Sequence, residues 1–97
     1  MELTKELWGT SACGKEIFLY TLKNESGAYV QLSRVGAGIV AVVVPDKDGN
    51  LADVTLGYPD PMSYFGDGPC AGKIPGRYAN RIALGKFSLD GAEYTLP

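Results

Sequence analysis

The class of the fold is indicated by the stretch Ile39-Val40-Ala41-Val42-Val43-Val44-Pro45-Asp46-Lys47-Asp48-Gly49-Asn50. Its first six residues include five β-branched side chains and no polar one, which is typical of a strand covered on both faces. The dipeptide Asp48-Gly49, followed by Asn50, is a strong hairpin signal. We therefore predict that the strand 39–44 pairs with a second strand over residues 51–56.

Two further strands are predicted before this stretch. Residues 15–23 are rich in aromatic and branched side chains and end at a cluster of turn formers. Residues 28–35 alternate imperfectly between apolar and polar side chains, as expected of a strand with two different faces. Val30 and Leu32 would lie on one face and Tyr29, Gln31 and Ser33 on the other, and we expect one of these faces to meet solvent.

A long irregular segment follows over residues 57–76, with four prolines and five glycines. We expect a loop with one short helical turn after Asp60-Pro61, because an N-cap residue there precedes a proline at the first helical position. A connection this long inside a compact unit is more often functional than idle. The aromatic residues in or beside it are expected to close a small core under the loop, and they are Tyr58, Tyr64, Phe65 and Tyr78.

The last predicted element is a second hairpin over residues 86–96, around the turn Asp90-Gly91. No amphipathic helix of about ten or more residues is present, and residues 78–84 have only the length of a short one. We therefore predict an all-β fold of antiparallel sandwich or barrel type.

Length and composition narrow the function classes. The 97 residues suffice for one small domain, and 45% hydrophobic with 21% charged residues excludes an intrinsically disordered chain. Nine basic residues against eleven acidic ones give a net charge of -2, so we expect no nucleic acid and no membrane partner. The longest apolar run, residues 36–44, is far shorter than the roughly 20 residues that cross a bilayer. The polar N-terminus lacks a signal-peptide pattern, and we expect a cytoplasmic protein.

Two residue types limit the chemistry. Cys13 and Cys70 are the only cysteines and lack CxxC spacing, so neither a disulfide framework nor a zinc site is indicated, and we expect two buried free thiols. Histidine is absent from the sequence, so the commonest general acid or base near neutral pH is missing. If the chain takes part in catalysis, the groups that transfer protons lie elsewhere.

The end of the sequence suggests a larger protein. Pro97 directly follows the last predicted strand, which would leave a sheet edge unpaired. We expect residues 1–97 to be a piece of a longer chain, stable only in association with its remainder or with copies of itself.

One segment carries a specific pattern: Gly76-Arg77-Tyr78-Ala79-Asn80-Arg81-Ile82-Ala83-Leu84-Gly85-Lys86-Phe87-Ser88-Leu89-Asp90-Gly91-Ala92-Glu93-Tyr94-Thr95-Leu96. It closely resembles the signature of the aldose 1-epimerase (galactose mutarotase) family: a glycine-arginine pair, a short spacer, Asn-Arg-Ile, a small residue and glycine, then Phe-x-Leu-Asp-Gly-x-x-Tyr-x-Leu. Residues 53–58 and 64–66 also look like that family, and the resemblance covers about residues 15–96. Residues 70–75 are a departure, because many relatives run from Tyr-Phe-Gly directly into the glycine-arginine pair.

The resemblance implies a fold and an activity. Residues 1–97 would be the N-terminal part of a single antiparallel β-sandwich domain, the galactose mutarotase-like supersandwich. The implied reaction interconverts the α and β anomers of an aldohexose such as galactose or glucose, with no metal or organic cofactor. A base takes the proton of the C1 hydroxyl while an acid protonates the ring oxygen, and the opened ring rotates about C1–C2 and closes as the other anomer. The family's histidines and glutamate for these steps would lie beyond residue 97, so we expect no catalytic residue in this chain and no activity from it alone.

The resemblance marks Asn80 and Arg81 as sugar-binding residues. Arginine offers five donors for ring and exocyclic oxygens, and asparagine offers both donors and an acceptor for hydroxyls. Neighbouring residues on a regular strand face opposite sides, so both side chains reach one sugar only where the backbone is irregular. We expect Arg77 to be structural and to bond loop carbonyls, while Lys73 is a minor candidate for a sugar contact.

Two other functions stay open from the residues alone. The first is a non-catalytic carbohydrate-binding β module that keeps the Asn80 and Arg81 site without a proton-transfer pair. The second is a structural β domain in which the glycine-arginine motif only braces a loop.

Overall fold

The computed structural model describes all residues, 1–97, and consists of strands, turns and loops without an α-helix. The strands are β1 (Glu2–Thr10), β2 (Glu16–Lys23), β3 (Tyr29–Ser33), β4 (Gly38–Pro45), β5 (Leu51–Asp53), β6 (Lys86–Leu89) and β7 (Ala92–Thr95). Single 3-10 turns occupy Val35–Ala37, Met62–Tyr64 and Ala83–Gly85. The predicted all-β, antiparallel class is confirmed. No helix is long and apolar enough to cross a membrane.

The strands form two antiparallel sheets. Strands β1 to β5 make a five-stranded sheet in chain order, and β6 pairs only with β7. The predicted strands 15–23, 28–35 and 39–44 correspond to β2, β3 and β4, and the hairpin after Pro45 joins β4 to β5 as predicted.

Strand β5 is shorter than predicted because a side chain takes over its pairing. It ends at Asp53 rather than at residue 56. The Asp53 carboxylate accepts the backbone N–H of Val42 on β4 at 3.1 Å and the N–H of Thr55 at 3.0 Å. These bonds replace part of the backbone ladder, and the chain then leaves the sheet.

Strand β1 was not predicted, since its mixed charges hide a weak alternation. It pairs with β2 from Glu2 opposite Lys23 to Thr10 opposite Glu16, with a bulge at residue 8. The Lys5 ammonium lies 4.1 Å from the centre of the Phe18 ring on the neighbouring strand. Such a cation–π contact contributes about 0.5–1 kcal/mol at an exposed site.

One face of the large sheet is covered by the loop 57–75, and we call it the loop-covered face. Its buried apolar side chains are Ile17, Leu19, Val40, Ala41 and Val43, and Tyr64 of the loop packs on Leu19 and Val40. Ser33 lies directly opposite Leu19 and is buried on the same face. The Ser33 hydroxyl accepts the Val35 N–H at 3.0 Å. Strand β3 was predicted to have one face in solvent, but Ser33 is buried and the other four residues of the strand are half-buried, so neither face is fully exposed.

The opposite face, which we call the open face, is only half covered. Its side chains are Leu3, Leu7, Phe18, Tyr20, Leu22, Val30, Leu32, Ile39, Val42 and Val44. Leu3 and Leu7 are 65% and 57% exposed. Strand β4 was expected to be covered on both faces, but within this chain only its loop-covered face is shielded, because no element packs on the other side.

The second hairpin stands apart from the large sheet. Phe87 stacks on Tyr94 with ring centres 5.3 Å apart. Asp90 and Gly91 have φ angles of 49° and 78°, the positive values that a two-residue type I′ turn requires. Every residue of β6 and β7 is exposed.

The segment 70–75 fastens the loop to the start of β4. The N–H of Ile39 donates to the Gly72 carbonyl, and the N–H of Ile74 donates to the Gly36 carbonyl, both at 2.9 Å. Gly72 has a φ of +67°, and a Cβ there would collide with the Ile39 carbonyl oxygen. This close approach of two backbones explains why residues that depart from the family's usual pattern still have a defined place.

Replacing Gly72 by alanine should therefore destabilise the protein. We expect Gly72→Ala to lower the free energy of unfolding by about 1–3 kcal/mol, because the new methyl group clashes and the backbone is left-handed. Urea denaturation followed by circular dichroism measures the change. Gly68→Ala is the matched control, since a Cβ at Gly68 meets nothing within 4 Å. Equal losses in the two variants would contradict the proposed fastening.

Candidate functional site

Asn80 and Arg81 lie on irregular backbone between the loop and β6. Asn80 has a φ of +62°, in the left-handed region that asparagine tolerates better than most residues. The backbone irregularity that a shared ligand requires of two adjacent residues is thus present. Both residues are exposed.

The polar atoms of this pair are free of partners within the chain. Neither side chain makes a hydrogen bond, and the two ion pairs of the structure, Lys73 with Asp67 and Lys86 with Glu93, do not include Arg81. The clefts of the structure are lined by other residues. Asn80 and Arg81 together therefore offer an unsaturated donor and acceptor set on an open surface, and their sugar-binding role stays a prediction.

The chain just after the pair is tied to the second hairpin. The N–H of Gly85 donates to the Ile82 carbonyl at 2.9 Å, and the N–H of Leu96 donates to the Gly85 carbonyl at 2.7 Å. Ile82 is half-buried. These bonds hold the segment that directly follows Arg81 against the second hairpin.

The expected structural role of Arg77 falls instead to Lys73. Arg77 is exposed and donates no hydrogen bond within the chain. The Lys73 ammonium donates to the Tyr64 carbonyl at 2.6 Å and lies 3.8 Å from a carboxylate oxygen of Asp67. Lys73 was a minor candidate for a sugar contact, and here its charge is used to hold the loop.

The carboxylate of Asp67 organises the loop. Its side chain is fully enclosed and accepts the Tyr58 hydroxyl at 2.7 Å and the Ala71 N–H at 2.6 Å, besides its pairing with Lys73. The bond from Tyr58 is the main cause that lowers the pKa of Asp67, and the same bond raises the pKa of Tyr58. Sequence reasoning missed this cluster, since its members are brought together only by the loop.

The aromatic residues of the loop divide into two groups. Tyr64 is buried, its hydroxyl accepts the Tyr58 N–H at 3.0 Å, and its ring centre lies 5.0 Å from that of Tyr58 and 5.8 Å from that of Trp8. The predicted small core under the loop is confirmed for these residues. Phe65 and Tyr78 are 48% and 55% exposed and do not belong to it.

The two cysteines are free, but the prediction that they are buried is wrong. Both are exposed because each lies in a tight surface turn. The Ser11 hydroxyl is 3.1 Å from the Cys13 sulfur, and this bond is the main cause that lowers the pKa of that thiol. Cys70 has a φ of 57° in the turn that leads to Lys73.

Comparison with known proteins points to one family. The family model described as Aldose 1-epimerase matches residues 19–97. A probable aldose 1-epimerase of Arthroderma benhamiae is 34% identical over 93 residues, covering 92% of this chain and 20% of that protein. The galactose mutarotase of Rattus norvegicus is 45% identical over 62 residues, covering 64% and 18%. The aldose 1-epimerase of Escherichia coli K12 is 36% identical over 83 residues, covering 86% and 24%.

The chain thus spans about a fifth of the length of the curated relatives it matches, with shares of 18% to 24%. The matched region includes the Asn80 and Arg81 pair, the loop and most of the large sheet.

The Asp67 cluster predicts a loss of stability in acid. Because the pKa of Asp67 is lower in the folded chain than its usual value of about 3.9, its stabilising effect is present above that pH and is lost as the pH falls through the folded pKa. We expect Asp67→Asn to be less stable than the unmodified protein at pH 7 and to lose less stability between pH 5 and pH 2. Urea denaturation across this pH range provides the measurement.

Asp48→Asn is the control for this experiment, because the exposed Asp48 carboxylate makes no hydrogen bond. An acid dependence in Asp67→Asn as steep as that of the control would show that the Asp67 carboxylate does not hold the loop.

Proposed function

The chain belongs to the aldose 1-epimerase family, and on that premise we propose that the protein containing it interconverts the α and β anomers of an aldohexose such as galactose or glucose. The family match over residues 19–97 supports this reaction, as do relatives named aldose 1-epimerase and galactose mutarotase. The observation that carries the proposal is the Asn80 and Arg81 pair. Its polar atoms are exposed and unpartnered, and the backbone at Asn80 is irregular, which a ligand shared by two adjacent residues requires.

In this proposal the chain binds sugar but does not transfer protons. Anomer interconversion needs a base at the C1 hydroxyl and an acid at the ring oxygen, with opposite protonation states at the same pH. The chain has no histidine, and none of its carboxylates lies beside Asn80 or Arg81 in a hydrogen bond or ion pair. The acid and the base are therefore assigned to residues outside 1–97, and the isolated chain should bind sugar without accelerating the reaction.

The two side chains would have different tasks. The guanidinium of Arg81 donates to the ring and exocyclic oxygens, where negative charge develops as the ring opens. The amide of Asn80 donates to one hydroxyl and accepts from another, which fixes the orientation of the sugar. Neither group needs a metal or organic cofactor for these tasks.

The open face supports a proposal about partners. Its half-covered apolar side chains, with Leu3 and Leu7 well exposed, would be shielded by another part of the same protein or by a second copy of the chain. The expected cytoplasmic location stays a prediction.

Removal of the Arg81 guanidinium in the complete protein tests the proposed function. We expect Arg81→Ala to lower kcat/KM for galactose by about 100-fold or more, since a lost donor to developing negative charge costs that much in other enzymes. Polarimetry of freshly dissolved α-galactose measures the rate. Arg34→Ala is the control, because Arg34 is exposed and donates only to the Glu16 carbonyl, at 3.5 Å.

An unchanged rate in Arg81→Ala would remove this residue from the site. A complete protein that binds galactose but leaves its anomers to interconvert at the buffer rate would instead identify a non-catalytic carbohydrate-binding module.

Asn80 requires a different variant, because its positive φ offers a purely conformational reason for asparagine. Asn80→Gly keeps the left-handed backbone and removes only the amide. We expect a higher KM for galactose with little change in stability, measured by polarimetry and thermal unfolding. Asp90→Gly, at another residue with positive φ in the distant hairpin turn, is the control. A normal KM in Asn80→Gly would mean that the residue serves the backbone alone.

A further inference from the structure

A second set of aromatic and polar side chains lines a cleft that Asn80 and Arg81 do not reach. The cleft has a volume of about 310 Å³ and lies where the end of β1, the β4–β5 edge and the start of the loop meet. Its polar and aromatic lining comes from Trp8, Gln31, Asp53, Thr55 and Tyr58. Buried residues of the loop-covered face form its floor, among them Leu19 and Val40.

The two aromatic side chains of the cleft are supported by the buried ring of Tyr64. The rings of Trp8 and Tyr58 both pack on Tyr64, which is only 2% exposed. The Tyr58 hydroxyl is already bonded to Asp67, so Tyr58 presents its ring rather than its hydroxyl. The indole N–H of Trp8 makes no hydrogen bond within the chain, and it is free to donate to a ligand oxygen.

Asp53 and Gln31 line the same cleft, and each keeps one acceptor oxygen without a partner in the chain. The Oδ1 atom of Asp53 accepts the N–H of Val42 and both the N–H and the hydroxyl of Thr55, at 3.1, 3.0 and 2.7 Å, whereas its Oδ2 atom accepts nothing. Gln31 donates its amide N–H to the Thr21 hydroxyl at 3.2 Å, which leaves its carbonyl oxygen open. Hydrogen bonds at one polar atom thus fix each side chain, and its second polar atom, an acceptor oxygen, is available to a ligand.

The charge of the lining excludes one class of ligand. Bonds from Thr55 hold the pKa of Asp53 below its usual range, so the carboxylate is charged at neutral pH. No lysine or arginine lines the cleft, so a phosphate or carboxylate ligand would be repelled without compensation. The available acceptors call for a ligand rich in O–H donors, and the aromatic wall suits the weakly polar C–H face of a ring. The volume is at the small end for ligand clefts, enough for one ring.

We propose that this cleft binds a single neutral polyhydroxylated ring, of the chemical class of a monosaccharide, at a site separate from Asn80 and Arg81. The free acceptors of Asp53 and Gln31 take two ring hydroxyls, and the rings of Trp8 and Tyr58 pack on the C–H face. This inference goes beyond the proposed function and does not depend on it, because it uses neither the reaction nor the Asn80 and Arg81 pair.

The only tryptophan of the sequence lies in the cleft and reports on its occupancy. The complete protein, with any tryptophan outside residues 1–97 replaced by phenylalanine, is titrated with galactose while the fluorescence of Trp8 is recorded. We expect a saturable change with the same midpoint in Arg81→Ala, because that variant leaves the cleft intact. Asp53→Asn should shift the midpoint to at least about tenfold higher galactose, since it keeps the Oδ1 acceptor and removes only the free charged one. Asp48→Asn, with the same loss of charge outside the cleft, should match the unmodified chain.

A second ligand and a substitute variant complete the experiment. Galactose 6-phosphate should bind several-fold more weakly than galactose, because its phosphate meets the charge of Asp53. If circular dichroism shows that Asp53→Asn is unfolded, Gln31→Met replaces it, with the same expected shift to higher galactose. The proposal is overturned by the absence of a saturable change. It is also overturned by equal midpoints in Asp53→Asn and Asp48→Asn, or by a change that Arg81→Ala abolishes, since Trp8 would then report the Asn80 and Arg81 site.

Discussion

The enclosed carboxylate of Asp67 is the interaction on which the rest of this structure depends. Three different parts of the loop converge on it: the Tyr58 hydroxyl, the Ala71 N–H and the Lys73 ammonium. Once the loop is closed in this way, Tyr64 is placed on Leu19 and Val40, and these three residues form the only cluster of buried apolar side chains. Without the loop, the sheet would expose apolar side chains on both faces.

Much of the fold follows from the sequence because its signals are local. The hairpins are specified by backbone angles that few residues accept, a positive φ at Gly49 in the first turn and at both Asp90 and Gly91 in the second. The long run of branched residues in β4 identifies a strand through the same local preference. Strand β1 escapes prediction because its charges break the alternation, and its place is decided by pairing with β2. The end of β5 is also not predicted, because the Asp53 side chain accepts the Val42 N–H in place of a backbone carbonyl of the ladder.

The faces of the sheet and the loop cluster depend on contacts between distant residues. Ser33 is polar, yet it is buried on the loop-covered face, and its hydroxyl accepts the N–H of Val35 in the turn that follows β3. The bond to a loop carbonyl expected of Arg77 is made by Lys73 for the same reason, because the direction of the loop decides which cation meets a carbonyl. Asn80 and Arg81 are predicted to bind sugar from the resemblance of their segment to the family's pattern, and this role stays a prediction. The left-handed backbone at Asn80 adds the geometric condition that the pattern does not contain.

The separation of the two sheets has a mechanical consequence. The hairpin of β6 and β7 has no hydrogen-bonded pairing with the five-stranded sheet, so the two bodies are joined through the covalent segment that carries Asn80 and Arg81. A molecule bound by both side chains would lie at this junction between the two sheets and would restrict rotation of the chain there. If both side chains bind one sugar, as proposed, its affinity is coupled to the relative orientation of the two sheets, and contacts that immobilise the hairpin also preorganise the binding site.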